Sequence, residues 1–248
     1  MNISSDINIL GSMPDYNLIY ILLNENNLKD HEKQQYYTKI KTIKSYKRFE
    51  KAIKTSVLKY YNANIEDLLI TLLNKEQISF NSLFLLFWNT SLNNELLDYL
   101  NQNVYFPAFY SGRMSLKKDE IAACLKDLKL KEPALSNWSD STLQTTASKY
   151  LTLLKKFNLM EWRGNKNISH PYINDKLFMI FVYWLISVES KTNVLESKWL
   201  NYCFSEKESF IQRIMQKKFT KCININYTGD KLTIENSLPY KDLYDKIN

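Results

Sequence analysis

Glycine, proline, arginine and histidine are all scarce in this 248-residue chain, at four, five, four and two. With so few glycines and prolines there is little material for tight turns. All-β folds and glycine-rich phosphate loops both depend on such turns, so a mostly helical protein is expected. No G-x-S-x-G elbow and no P-loop occur, and the two histidines, His31 and His170, fall in loop contexts. Nucleophilic hydrolysis and nucleotide hydrolysis are therefore disfavoured. No C-x-x-C or paired-histidine spacing offers a metal site, and no cofactor is expected. Three unequally spaced cysteines, Cys124, Cys203 and Cys222, do not make a disulfide framework. The residues before Met13 lack a basic start and an apolar run, so no secretory signal is expected. The most apolar stretch, Leu177 to Val188, has twelve residues; a membrane span needs roughly 20. A core helix in a soluble, cytoplasmic protein, with no membrane partner, is the expectation.

What is present is apolar and cationic. Hydrophobic residues make up 45% of the chain, enough to bury a substantial core in one large domain or two modest ones. A net charge of +7 points to a polyanionic partner, although an AT-rich coding bias towards Lys, Asn, Ile and Tyr would produce the same surplus. Placement is more informative. Between Gln34 and Tyr61 eight cations (Lys39, Lys41, Lys44, Lys47, Arg48, Lys51, Lys54, Lys59) face a single acid, Glu50, a balance of +7. Tyr36, Ile40, Ile43, Tyr46, Ile53, Val57 and Tyr60 recur at steps of three and four, predicting one amphipathic helix over the whole stretch. Lys44, Lys47, Arg48 and Lys51 share a face away from that apolar stripe. They read either as a solvated surface or as a line of phosphate contacts.

Further helices are predicted over "DYNLIYILLN", "IEDLLITLLNK" with Asn64 as cap, "FNSLFLLFWN" starting at Ser79, "NNELLDYLNQNV" and "LKKDEIAACLKDLKL". The aromatics of "YFPAFYSGRM" are read as a loop and as the best domain boundary. Asp175 to Glu189 forms another helix. Asn193 with Glu196, and Ser205 with Glu208, have capping-box spacing. "CININYTGDKLTIEN" alternates around Thr228-Gly229-Asp230 as a hairpin.

The segment Asp140 to Phe157 places Leu143, Ala147, Tyr150, Leu151, Leu154 and Phe157 on one helical face. Thr145, Ser148, Lys149, Thr152 and Lys156 lie opposite, small or cationic groups able to approach a phosphate backbone or base edge. "NLMEWRGNKNISHPYI" follows, a hairpin with Gly164-Asn165 at its turn and Arg163 and Lys166 at its tip. Helix, short hairpin, basic tip is the order of a winged helix-turn-helix. An ordinary surface helix beside a turn would look alike, and "LKEPALSNWS" exceeds the usual three- or four-residue turn.

Among catalytic readings, Cys124 with His170 is one. A metal-dependent nuclease is another, since Glu189-Ser-Lys191 and Glu196-Ser-Lys198 echo an E-x-K half-site that Asp175 could complete. Such a site needs adjacent strands, and these residues fall on or between predicted helices.

From about Ile9 to Leu185 the chain resembles the BrxA family, components of bacterial BREX phage-exclusion systems. The opening "GSMPDYNLIYILL", the basic helix "YTKIKTIKSYKRFEKAIKTSVLKYY" and the aromatic pair "SLFLLFWNTSLNNELLDYLNQNV" carry the likeness. So does "LSNWSDSTLQTTASKYLTLLKKFNLM", with Asn158 where a glycine is more usual. The resemblance implies a non-catalytic, helix-rich cytoplasmic protein that binds double-stranded DNA beside a methyltransferase and an ATPase. The inner-membrane label some members carry finds no support in this sequence. The expected architecture is mostly α. It comprises an N-terminal helical domain over 1–110 with the basic helix 34–61, a winged-helix-like domain over 111–190, and C-terminal helices with a small β-hairpin over 191–248. The alternative function is a protein–protein adaptor gripping other subunits through the winged-helix surface and Tyr105, Phe106, Phe109 and Tyr110.

Overall fold

A computed structural model describes residues 3–4, 6–24, 40, 42–161, 167–189 and 192–247. It is mostly helical. In chain order the helices begin with α1 (Asp6–Leu10), α2 (Asn17–Leu23) and α3 (Ile43–Ala52), which widens into a π-helical turn over Ile53–Val57. Then come α4 (Ala63–Glu76), α5 (Phe80–Asn93) and α6 (Glu95–Leu100), a second π-helical turn (Asn101–Tyr105), and α7 (Phe106–Tyr110). α8 (Lys118–Lys131), a 3₁₀ turn (Pro133–Leu135), α9 (Asp140–Lys156) and α10 (Asp175–Val188) follow. After α11 (Lys207–Ile214) the chain forms strands β1 (Ile223–Tyr227) and β2 (Leu232–Asn236) and ends in α12 (Leu243–Lys246).

Local chemistry sets most of these boundaries. Side-chain oxygens of Thr42, Asn94, Ser139 and Asn174 accept backbone amides in the first turns of α3, α6, α9 and α10. Each satisfies a donor that the helix itself leaves open. The terminal hairpin pairs antiparallel with Ile225 opposite Ile234, and Gly229 at its turn takes φ +95°, where a Cβ would be strained.

Several expectations are corrected. α3 starts at Ile43 rather than Gln34, because Thr42 caps it there; Tyr36 and Lys39 lie outside the described residues. Ile43, expected on the apolar stripe, is 77% exposed as the first helical residue. α4 is capped by Asn62, whose Oδ1 accepts the Ile65 amide at 3.0 Å, and not by Asn64. Asn193 does open a turn, but a 3₁₀ turn over Val194–Glu196. α11 starts after Glu206 without a side-chain cap, so Ser205 does not play that part. The largest difference is at "YFPAFY". It is helical, since Pro107 stands in the first turn of α7, where its missing N–H costs nothing.

The chain divides into two compact units, residues 1–59 with 86–170 and residues 60–85 with 171–248. α5 passes from the second unit to the first between Leu85 and Leu86. The first unit's core holds Phe157 against both Tyr16 and Phe87, with ring centroids 5.3 and 5.4 Å apart. A buried polar chain runs through it: the Tyr150 hydroxyl donates to Asn101 Oδ1 at 2.8 Å, and Asn101 Nδ2 donates to Ser91 Oγ at 3.1 Å. The second unit is built on α10, whose residues from Leu177 to Leu185 are all buried. Trp184 meets Trp199 edge-on at 5.5 Å, and Phe178 packs against Phe210 and Phe219. The Tyr183 hydroxyl ties the hairpin down, donating to the Cys222 carbonyl at 2.6 Å. The apolar run is thus a core helix. No helix among the described residues is long and apolar enough to cross a membrane.

Candidate nucleic-acid interface

α8 and α9 pack on one another within the first unit. The start of α8 is fixed by Glu120, whose carboxylate accepts the Lys117 amide at 3.1 Å and, on its two oxygens, Arg113 Nη2 at 2.6 and 2.8 Å. Partial burial alone would raise this carboxyl, but those hydrogen bonds and the neighbouring cations hold it below its ordinary value. α9 buries the predicted face: Leu143, Ala147, Tyr150, Leu151 and Leu154, with Phe157 after them, are at most 4% exposed.

The end of α9 is a Schellman motif. Asn158 adopts φ +59°, its amide donating to the Lys155 carbonyl and that of Leu159 to Leu154. Glycine adopts that left-handed conformation most readily, and asparagine tolerates it. The reversed chain then pairs. Met160 lies opposite Ile168 and Ser115 opposite Asn167, both antiparallel, so residues 167–169 run between 114–115 and 159–161. The amides of Glu161, Ser169 and Ile168 donate to Asn167, Leu159 and Met114. The turn Gly164-Asn165 and the tip residues Arg163 and Lys166 lie outside the described residues.

Of the polar face of α9, Thr145 is exposed, while Ser148, Lys149, Thr152 and Lys156 are half-buried. The cover on one flank is α1. Asn8 Nδ2 donates to Thr146 Oγ1 at 3.1 Å, and a Cβ on Gly11 would stand 2.6 Å from the Lys149 carbonyl. Only glycine allows the chain so close there. Lys156 is turned to this contact. Its ammonium donates to the carbonyls of Leu10 and Gly11 at 3.3 Å and to that of Met13, closing the C-terminus of α1. Burial, with the repulsion of Lys149, lowers its pKa to about 8 against the pull of Asp15.

α1 also holds α3. Asp6 Oδ2 accepts the hydroxyls of Thr55 at 3.0 Å and Ser56 at 2.8 Å. The structure thereby joins two of the predicted groups, the basic helix and α9, through a short helix the sequence did not single out. Lys44, Lys47, Arg48 and Lys51 are all exposed, and none has an acidic partner among the described residues. Glu50 is taken by Lys54 at 2.6 Å.

The other candidate sites fare differently. Tyr105 and Phe106, expected to grip a partner, are 0% and 1% exposed and belong to the core; Phe109 and Tyr110 are half-buried. Burial raises the Cys124 thiol, which contacts the Tyr99 hydroxyl, whereas His170 stacks near Phe109 at 5.0 Å. Asp175 accepts Arg213 at 3.0 Å and also Lys218, and these bonds outweigh burial and hold its carboxyl low. Glu189 follows α10 and Glu196 sits in a 3₁₀ turn, not on paired strands. Among the described residues no group of three or more His, Cys, Asp or Glu is placed to hold a metal ion.

No curated protein and no solved structure matches this chain. The family model BrxA matches residues 16–182, about two thirds of the length and nearly all of the first unit's helices. The chain belongs to the BrxA family, and so to the proteins of BREX systems.

Proposed function

We propose that this chain is a non-catalytic accessory protein that binds double-stranded DNA, largely through phosphate contacts, and works beside the methyltransferase and ATPase of its system. The observation that carries the reading is the row of four exposed cations on α3, without an acidic partner among the described residues and anchored by α1 to α9. Free, clustered cations on a rigid helix are what a phosphate backbone recognises, because binding releases condensed counterions. The order α8, α9 and paired segments 159–161 and 167–169 supports a winged helix-turn-helix reading, in which α9 faces a groove and the tip with Arg163 and Lys166 touches backbone. Thr145, Ser148, Thr152 and Lys149 would then be the groove-facing groups. Lys156 secures α1 and acts on position rather than on phosphate.

A mobility shift on random duplex tests this. Four phosphate contacts predict an affinity loss of roughly a hundredfold between 50 and 200 mM salt. Lys149→Glu, Arg163→Glu and Lys166→Glu together, with circular dichroism unchanged, should abolish the shift. Undiminished binding by that variant would remove α9 and the tip from the interface.

A further inference from the structure

The second unit contains a hollow whose lysines neither the duplex-binding reading nor the family match covers. About 640 Å³ in volume, it lies where the turn between α11 and β1 passes the chain end. Lys217, Lys218, Lys221 and Lys246 line it with a single acidic side chain among the described residues, Asp175. That acid is already committed: it is the first residue of α10, and its two oxygens accept Arg213 and Lys218. Lys218 and Asp175 therefore cancel. Lys217, Lys221 and Lys246 remain exposed, without an acidic partner among the described residues, and all three line the one concavity. Three like charges around a low-dielectric wall repel one another and focus a positive potential into the space they enclose.

We propose that this hollow is a binding site for an organic phosphate monoester. Two features set the ligand class. A terminal phosphate is close to a dianion at neutral pH and offers three strong acceptor oxygens, matching the three uncommitted lysines that line one concavity. A phosphodiester carries one charge per unit and runs along a surface instead of ending in a cavity. The volume is within the range of small-molecule sites, about 300–1,000 Å³, and far exceeds one phosphate. Buried Phe219 and Cys222, with Ile247, give the hollow an apolar lining for the organic part. A mononucleotide meets these requirements, and so does the 5′-phosphorylated end of a nucleic-acid strand. The lysines of this site lie beyond residue 182, where the family match ends.

Calorimetric titration of the full chain with inorganic phosphate and with AMP, at ionic strength matched by chloride, tests the site. Both ligands should bind, AMP more tightly. Lys217→Ala, Lys221→Ala and Lys246→Ala together should weaken AMP at least tenfold with an unchanged thermal midpoint in the absence of ligand. Short single strands with and without a 5′-phosphate identify the source. A preference for the phosphorylated strand points to strand ends, and equal binding of the two alongside tight AMP points to the free nucleotide. No heat from AMP or phosphate above the chloride control, or full binding by the triple variant, would overturn the proposal. Charge reversal on α3 should leave AMP binding unchanged, so failure of the duplex reading and failure of this one are separable.

Discussion

Lys156 is the residue at which sequence pattern and structure part. Its spacing puts it on the polar face of α9, yet its ammonium serves three carbonyls at the end of α1. Helical periodicity shows on which face a side chain starts; it does not show that a long flexible side chain will turn back onto a segment some 145 residues earlier. The position has a pH signature. Folding lowers the amine from about 10.4 to about 8, through burial first and Lys149 second, against Asp15. Below pH 8 both folded and unfolded chains hold the proton, and the cost of the buried charge is fully present. Between about pH 8 and 10.4 the unfolded chain binds more protons, so the native state gains stability as pH rises. Denaturant midpoints of wild type and Lys156→Met, measured at pH 7.5 and 9.5, should therefore diverge in favour of wild type at the higher pH. A difference that stays constant would mean that the amine titrates normally.

At the scale of single elements, α9 was legible from end to end because every signal that defines it is local. Its apolar spacing, the Ser139 cap and the left-handed Asn158 all lie within some 20 residues and agree. The same local agreement explains α10 and the terminal hairpin. Where signals compete, expectation failed. Pro107 among aromatics reads as a loop, although a proline in the first turn continues the helical path begun by the π-helical turn. A run without glycine or proline reads as one helix from Gln34, although Thr42 starts α3 afresh by capping it. Both ends of α9 carry measurable weight. Ser139→Ala should cost about 1 kcal/mol. Asn158→Gly should be neutral to slightly stabilising, whereas Asn158→Val, with a β-branched side chain at φ +59°, should cost about 1–2 kcal/mol. Urea unfolding reads all three, and a harmless Asn158→Val would exclude the left-handed conformation.

For the whole molecule, what the sequence could not show is which elements meet. Asn8 and Thr146 are 138 positions apart, and both units are assembled from separated stretches of chain. The joining of α3 to α9 through α1 is long-range packing, with no local trace beyond a glycine at position 11. That assembly sets a trade-off in the α3 stripe. Lys44 with Arg48, and Lys47 with Lys51, stand four residues apart, and Lys44 with Lys47 and Arg48 with Lys51 three apart, all exposed and without acidic relief among the described residues. Each such like-charge pair opposes the helix by roughly 0.2–0.5 kcal/mol at low salt. Replacing the four by glutamine should therefore stabilise the fold by about 1–2 kcal/mol, a rise of roughly 2–8 °C in Tm for a chain of this size. The same change should flatten the salt dependence of duplex binding, by about 0.9 in log–log slope for each phosphate no longer neutralised. Stability and affinity would move in opposite directions, an outcome that a merely solvated lysine face does not produce. A stabilised variant with its salt slope intact would leave the stripe as surface alone and shift the whole interface to α9.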